Sequence, residues 1–243
     1  MNQPALASRA RKRLRLKRRA DAPPLSARAE MRERKWASQA LLRKLGVPVN
    51  PWLPVIEPAS AIRLRSSEAV MRRMFALAVV AGVAINPKTR KDARAYIEAQ
   101  GIAHWFSARE QAFLFGKADR QAAANLSWRT ECVYFLAWCA GMLDTLAIPR
   151  AGSDYEALPR VMQEAPDDFD ALRAAVRLRG KGAILDWADL LFRLHWAVRE
   201  ADLRGDPPPP GVDGEVVMEW HRAVNWLIGH NGEDDWDCVS TDT

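Results

Sequence analysis

At 243 residues, with 49% hydrophobic and 27% charged side chains, the chain has the balance of a globular protein, which excludes collagen-like and low-complexity polymers. Its net charge of +6 is concentrated at one end: residues 1–28 hold nine of the 36 Lys and Arg and one acid, Asp21, leaving 27 basic against 29 acidic residues in a nearly neutral body. The three cysteines follow no metal-ligand spacing and read as free thiols of a reducing, cytoplasmic setting, with no cofactor or metal implied.

The chain opens on a run from Arg9 to Arg19 in which eight of eleven residues are cationic, among them Arg11, Lys12, Arg13, Arg15, Lys17, Arg18 and Arg19. Like charges at this density repel one another, and two leucines cannot form a core, so residues 1–28 are expected to be a disordered tail. Functionally the tail is either an electrostatic arm for nucleic acid or an acidic lipid surface, or a solvated extension ahead of a start at Met31. No apolar stretch follows Arg18-Arg19, so no secretory leader is expected.

Residues 29–243 read as one helical domain. A first helix spans 29–45 and stops at Gly46. Four prolines between Val47 and Pro58 exclude helix and central strand, which predicts an extended segment wrapping the body. Ser66 or Ser67 caps a helix over 70–84, and another runs over 89–100. Ser107 and Glu110 have capping-box spacing and start a short helix through Phe115. A further turn or two from Asp119 leads into the central helix, for which Ser127 is the expected cap and whose run from Cys132 to Leu143 carries no charge. A helix apolar all round is buried on every side, and twelve residues are too few to cross a bilayer. Pro149 ends the central helix, and residues 149–166 are irregular or contain one short helix; Pro166-Asp167-Asp168 starts a helix that Gly180 and Gly182 stop. The basic group Arg173, Arg177, Arg179 and Lys181 reads as a solvated helix end. A strong helix follows over 184–202, then a stiff Pro207–Pro210 connector and a last helix over 215–228. The sum is an all-α fold of seven to nine helices around a buried central helix, with no strand and no repeat.

Several stretches taken together resemble a known family: Asn50-Pro51 with Leu53-Pro54, Arg65-Ser66 with Glu68, Leu126 to Glu131, Leu185-Asp186 through Ala197, Asn225-Trp226-Leu227, and the ending Trp236-Asp237 with Val239 to Thr243. This resembles the bacterial domain-of-unknown-function family 4272, over about residues 33–243. The resemblance implies a cytosolic, mainly helical protein. It implies no transferable activity, and it does not extend to the basic tail.

The candidate site residues are polar groups placed beside apolar faces. Arg129 and Glu131 stand in the first turn of the central helix. Asp186, Asp189 and Arg193 share one face of the helix over 184–202. His195, His221 and Asn225 border the apolar stripes of the last two helices. A charge entering a core needs a partner, so these residues form either an internal salt-bridge network or a charged ligand or catalytic pocket around Arg129, Glu131, Asp186 and His195. The expected partners of the first turn are the Asp186/Asp189/Arg193 face or the segment Trp236–Thr243. No nucleophile, phosphate loop or metal motif is present, and no catalytic residue is assigned. The function that fits best is a non-enzymatic module that binds another protein, in a regulatory, accessory or toxin-neutralising role.

Overall fold

The structure, a computed structural model, describes residues 25–117, 119–163 and 168–243. Residues 1–24, with the cationic run 9–19, lie outside the described residues, whereas residues 25–28, expected in the disordered tail, form the start of the first helix. Ten α-helical segments follow in order: α1 (Leu25–Lys44), α2 (Ser67–Ile85), α3 (Arg90–Gln100), α4 (Ala108–Phe115), α5 (Arg120–Ser127), α6 (Arg129–Cys139), the single turn α7 (Arg160–Gln163), α8 (Phe169–Ala175), α9 (Lys181–Arg204) and α10 (Gly214–Ile228). No strand occurs among the described residues.

The helices pack as a series: α1 lies on α9, α9 on α10, α10 on α6, α6 on α2, and α2 on α5. α6 is therefore the middle layer. Its Cys132, Val133, Phe135, Leu136, Ala137 and Cys139 have no measurable exposure, which suits a helix with apolar neighbours on both sides. Phe135, Trp138, Trp187 and Trp220 join α6, α9 and α10 through ring contacts of 5.6–6.4 Å. Burial of rings this large dominates the stability of such an interface.

Local chemistry explains most boundaries. Ser66 Oγ accepts the Ala69 N–H, and Ser107 with Glu110 forms the full capping box of α4. Asp213 caps α10 through the N–H groups of Glu215 and Val216. The central helix departs from expectation at both ends. Ser127 does not cap it. Asp119 captures the N–H groups of Gln121 and Ala122 and starts a separate helix, α5, which Ser127 closes; Trp128 then links α5 to α6 without a side-chain cap. At the other end α6 stops at Cys139, because Gly141 turns the chain with φ +73°. The freed carbonyls are taken from outside the helix. Arg177 N donates to Ala140 O at 2.8 Å and Arg179 N to Cys139 O at 2.9 Å. The Arg179 guanidinium donates to the carbonyls of Trp138 (2.7 Å), Leu143 and Asp144 (3.1 Å). The basic group is a solvated helix end only in part: Arg173, paired with Glu68 at 2.8 Å, and Arg177 are exposed, but Arg179 caps α6 and Lys181 belongs to α9, whose first turn includes Gly182.

The proline-rich segment Val47–Pro58 is the predicted strap. It is held by its carbonyls. Lys35 Nζ donates to Pro51 O (2.8 Å) and Leu53 O (2.6 Å), Arg193 Nη2 to Pro54 O (2.9 Å), and Lys181 Nζ to Ala59 O (2.8 Å) and Ile62 O (2.5 Å) just beyond it.

Candidate functional site

The nominated residues do not meet in one place; they form five separate arrangements. Arg129 pairs with Glu219 of α10 through Nη1, 2.5 Å from Oε1. Glu219 is 2% exposed, and it also accepts the Cys132 thiol at 2.9 Å. The first turn of α6 therefore meets neither of its expected partners but a carboxylate of α10. Glu131, two residues on, accepts the backbone N–H of Ser153 (2.8 Å), the Ser153 hydroxyl (2.5 Å) and the Trp220 indole N–H (3.1 Å). Arg129 and Glu131 together join α6 to α10 and anchor the loop after α6.

Asp186 and Asp189 lie on the same helix but in different settings. Asp186 has an exposed side chain and binds Arg34 of α1 at 3.1 Å, while Arg34 also holds Glu30 at 2.6 Å. Asp189 has no exposure and grips Arg193 with two bonds, 2.8 and 2.7 Å. This is the planar fork-to-carboxylate match that only arginine makes. Arg193 then reaches Pro54 O, so the pair is the post on which the strap rests.

His195 and His221 are buried, with their Nδ1 atoms 3.0 Å apart. Asn225 Nδ2 donates to Ser240 O at 2.9 Å and lies 3.2 Å from His221 Nε2. The amide nitrogen is a donor, so His221 Nε2 accepts; its proton is then on Nδ1 and points to His195 Nδ1, leaving His195 protonated at Nε2. His195 makes its own hydrogen bond to the Thr241 backbone. The result is one continuous chain of neutral donors and acceptors from α9 through α10 to the carboxyl-terminal segment. Burial, then the cations Arg199 and Arg222, push the His195 pKa down to about 4. Burial, followed by His195, His230 and Arg222, pushes that of His221 well below the ordinary value. Neither imidazole is poised to carry protons near neutrality.

Both helix-borne thiols are likewise inert. Burial raises the pKa of Cys132, and Glu219 adds to the effect; burial raises that of Cys139. Among the described residues, no three His, Cys, Asp or Glu side chains converge as metal ligands, and no helix is long and apolar enough to cross a membrane.

Sequence reasoning missed the partners rather than the sites. Glu219 and Arg73 each fall on the apolar stripe of their helix, Glu219 between Val216 and Ala223 and Arg73 beside Met74, and that misplacement was the available signal. Arg73 pairs with Glu110 at 2.5 Å, with both side chains buried. Lys35, Arg179 and Lys181 gave no signal, since a cation that binds a carbonyl looks in sequence like one that faces water.

These features define an all-α domain whose interior charges are joined in pairs that fasten helix to helix and loop to helix. The chain belongs to the family described as domain of unknown function DUF4272, whose model matches residues 34–239. No curated protein and no solved structure matches it.

Proposed function

We propose that the domain is a non-enzymatic protein-interaction module, of a regulatory, accessory or toxin-neutralising kind, that receives an apolar segment of another protein between α1 and α9. The observation that carries this reading is an open groove of about 370 Å³ lined by Ala37, Leu41, Leu146, Ile148, Trp187 and Leu190. The Arg34–Asp186 pair stands at the same groove, and the Asp186 side chain is 67% exposed with one oxygen unengaged. An amphipathic helix that offers apolar anchors and a nearby Lys or Arg matches this chemistry. A ligand pocket built on Arg129, Glu131, Asp186 and His195 has less support, because those side chains serve separate partners.

The test is site-specific photo-crosslinking in the native host. A photoreactive residue at Leu41 should capture one protein species, and Asp186→Lys should abolish that product. Absence of a product from position 41, or the same product from a probe at exposed Lys91 on α3, would refute the groove.

The charge of residues 9–19 supports a second association, with nucleic acid through the tail. Deleting residues 1–24 should then remove duplex binding at low salt, and binding that survives the deletion would overturn it.

A further inference from the structure

A second cleft, of about 390 Å³, opens where the first turns of α2 and the segment His104–Ser107 ahead of α4 face the segment Asp234–Trp236. Three arginines in it each lie over an indole: Arg65 over Trp226 at 4.7 Å, Arg72 over Trp105 at 5.3 Å, and Arg73 over Trp236 at 4.9 Å. Stacking holds a guanidinium in one plane and leaves its edge to make hydrogen bonds.

The three differ in how much of that edge is engaged. Arg65 is fully committed, donating to Trp226 O (2.7 Å), Asp234 (3.0 Å) and Glu233 O (2.7 Å). Arg72 donates only through Nε, to Glu68 at 2.8 Å, and its side chain is 44% exposed, so both terminal nitrogens are open to the cleft. Arg73 is 5% exposed and donates only through Nη2, to Glu110; its Nε is buried with no acceptor. Glu110 Oε1 is buried without a partner as well, so Arg73 and Glu110 form a fixed charged pair behind the cleft, and the donor edge open to an incoming acceptor is that of Arg72. The carboxylates on this cleft set a limit. Glu68, Asp234 and Asp235 line it too, so it is neutral overall and a second anionic group on a ligand would meet them.

We propose that this cleft binds a compact planar ligand bearing a single oxyanion, a carboxylate or a phosphate monoester, with the oxyanion on the open edge of Arg72, backed by Arg73, and the ring beside the Arg72–Trp105 stack. The volume suits a molecule of mononucleotide size or smaller, and mixed aromatic and polar walls are usual for such sites. The inference does not depend on the α1–α9 groove.

Isothermal titration of the full chain tests it, with indole-3-carboxylate, adenosine monophosphate, inorganic phosphate and adenosine triphosphate as probes. One of the first two should bind at one site per chain and tighter than the others; which one tells a carboxylate from a phosphate ligand. Arg72→Ala, at a half-exposed side chain, should weaken that binding at least about tenfold, the loss expected for hydrogen bonds to a charged group. Circular dichroism establishes that this variant keeps its fold. Three results would overturn the proposal: no probe binding below millimolar concentration, binding unchanged in Arg72→Ala, or triphosphate binding tightest, which assigns the anion affinity to the basic tail.

Discussion

Acidification from neutrality should weaken the fold because of the His195–His221 pair. With their Nδ1 atoms 3.0 Å apart and a single proton between them, a second proton would put two donors face to face. In the unfolded chain each imidazole takes its proton near pH 6.5. In the folded chain His195 resists it down to about pH 4. The unfolded state therefore binds more protons between these values, and stability, fully present above pH 6.5, is lost as pH falls towards 4. The full shift corresponds to roughly 3 kcal/mol for His195, of which about 2 kcal/mol is lost by pH 5. His221 adds a contribution of the same sign. Glu30 and Glu68, held below the ordinary carboxylate value by hydrogen bonds from Arg34 and Arg173, contribute stability that is lost only as pH falls below about 4.3. The window from pH 7.5 to 5 therefore lies above the range in which Glu30 and Glu68 contribute. Urea unfolding followed by tryptophan fluorescence should show the loss in the native protein. The double variant His195→Gln/His221→Gln, which keeps polar groups but cannot titrate, should be less stable at pH 7.5 and nearly flat down to pH 5. An equal fall in both proteins would refute the reasoning.

Three further outcomes can be checked by similar means. Arg193→Met leaves Asp189 charged and buried and should cost about 3–5 kcal/mol in urea unfolding, whereas Arg193→Met/Asp189→Leu should recover most of it; equal losses would show that the charge is not the cause. Gly141→Ala places a Cβ 2.6 Å from Arg177 O at φ +73° and should lower stability by roughly 1–3 kcal/mol, while Gly180→Ala, with open space around it, should not. Thiol labelling at pH 8 should modify exposed Cys238 at once and Cys132 and Cys139 only on unfolding; fast labelling of all three would contradict the packing of α6.

Where the sequence was informative, the chemistry was local. Ser66, the Ser107–Glu110 box and the four prolines of the strap act within a few residues, so their structural consequences were legible. The buried character of α6 was legible too, from its uncharged run. Its ends were not. Turns beginning at Asp119 were legible but the break at Trp128 was not, and the stop at Cys139 combines the local turn at Gly141 with carbonyl acceptors filled by Arg179, forty residues away. The candidate site shows the same division. His195, His221 and Asn225 were nominated for bordering adjacent apolar stripes, and they do meet. Arg129 was nominated as needing a carboxylate, and it has one, but only tertiary packing selects Glu219 from the acids of the chain. Asp186 and Asp189, paired by helical spacing, part company because α1 leaves one exposed while the strap covers the other.

The strap has a consequence for how this protein would look in solution. Lys35, Arg193 and Lys181 grip the chain from residue 51 to 62 through backbone acceptors, and the amides of Val49, Leu53, Val55, Ile56 and Glu57 donate to no protein group among the described residues. Amide exchange reports donors alone. The segment would therefore exchange its hydrogens quickly and pass for a loose loop, while three cations hold its oxygens in register. Carbonyls are the same in every residue, so replacing a solvent-facing side chain of the strap should leave these bonds intact, whereas a change at Lys35 should release residues 51–53 and leave Arg193 and Lys181 holding the rest.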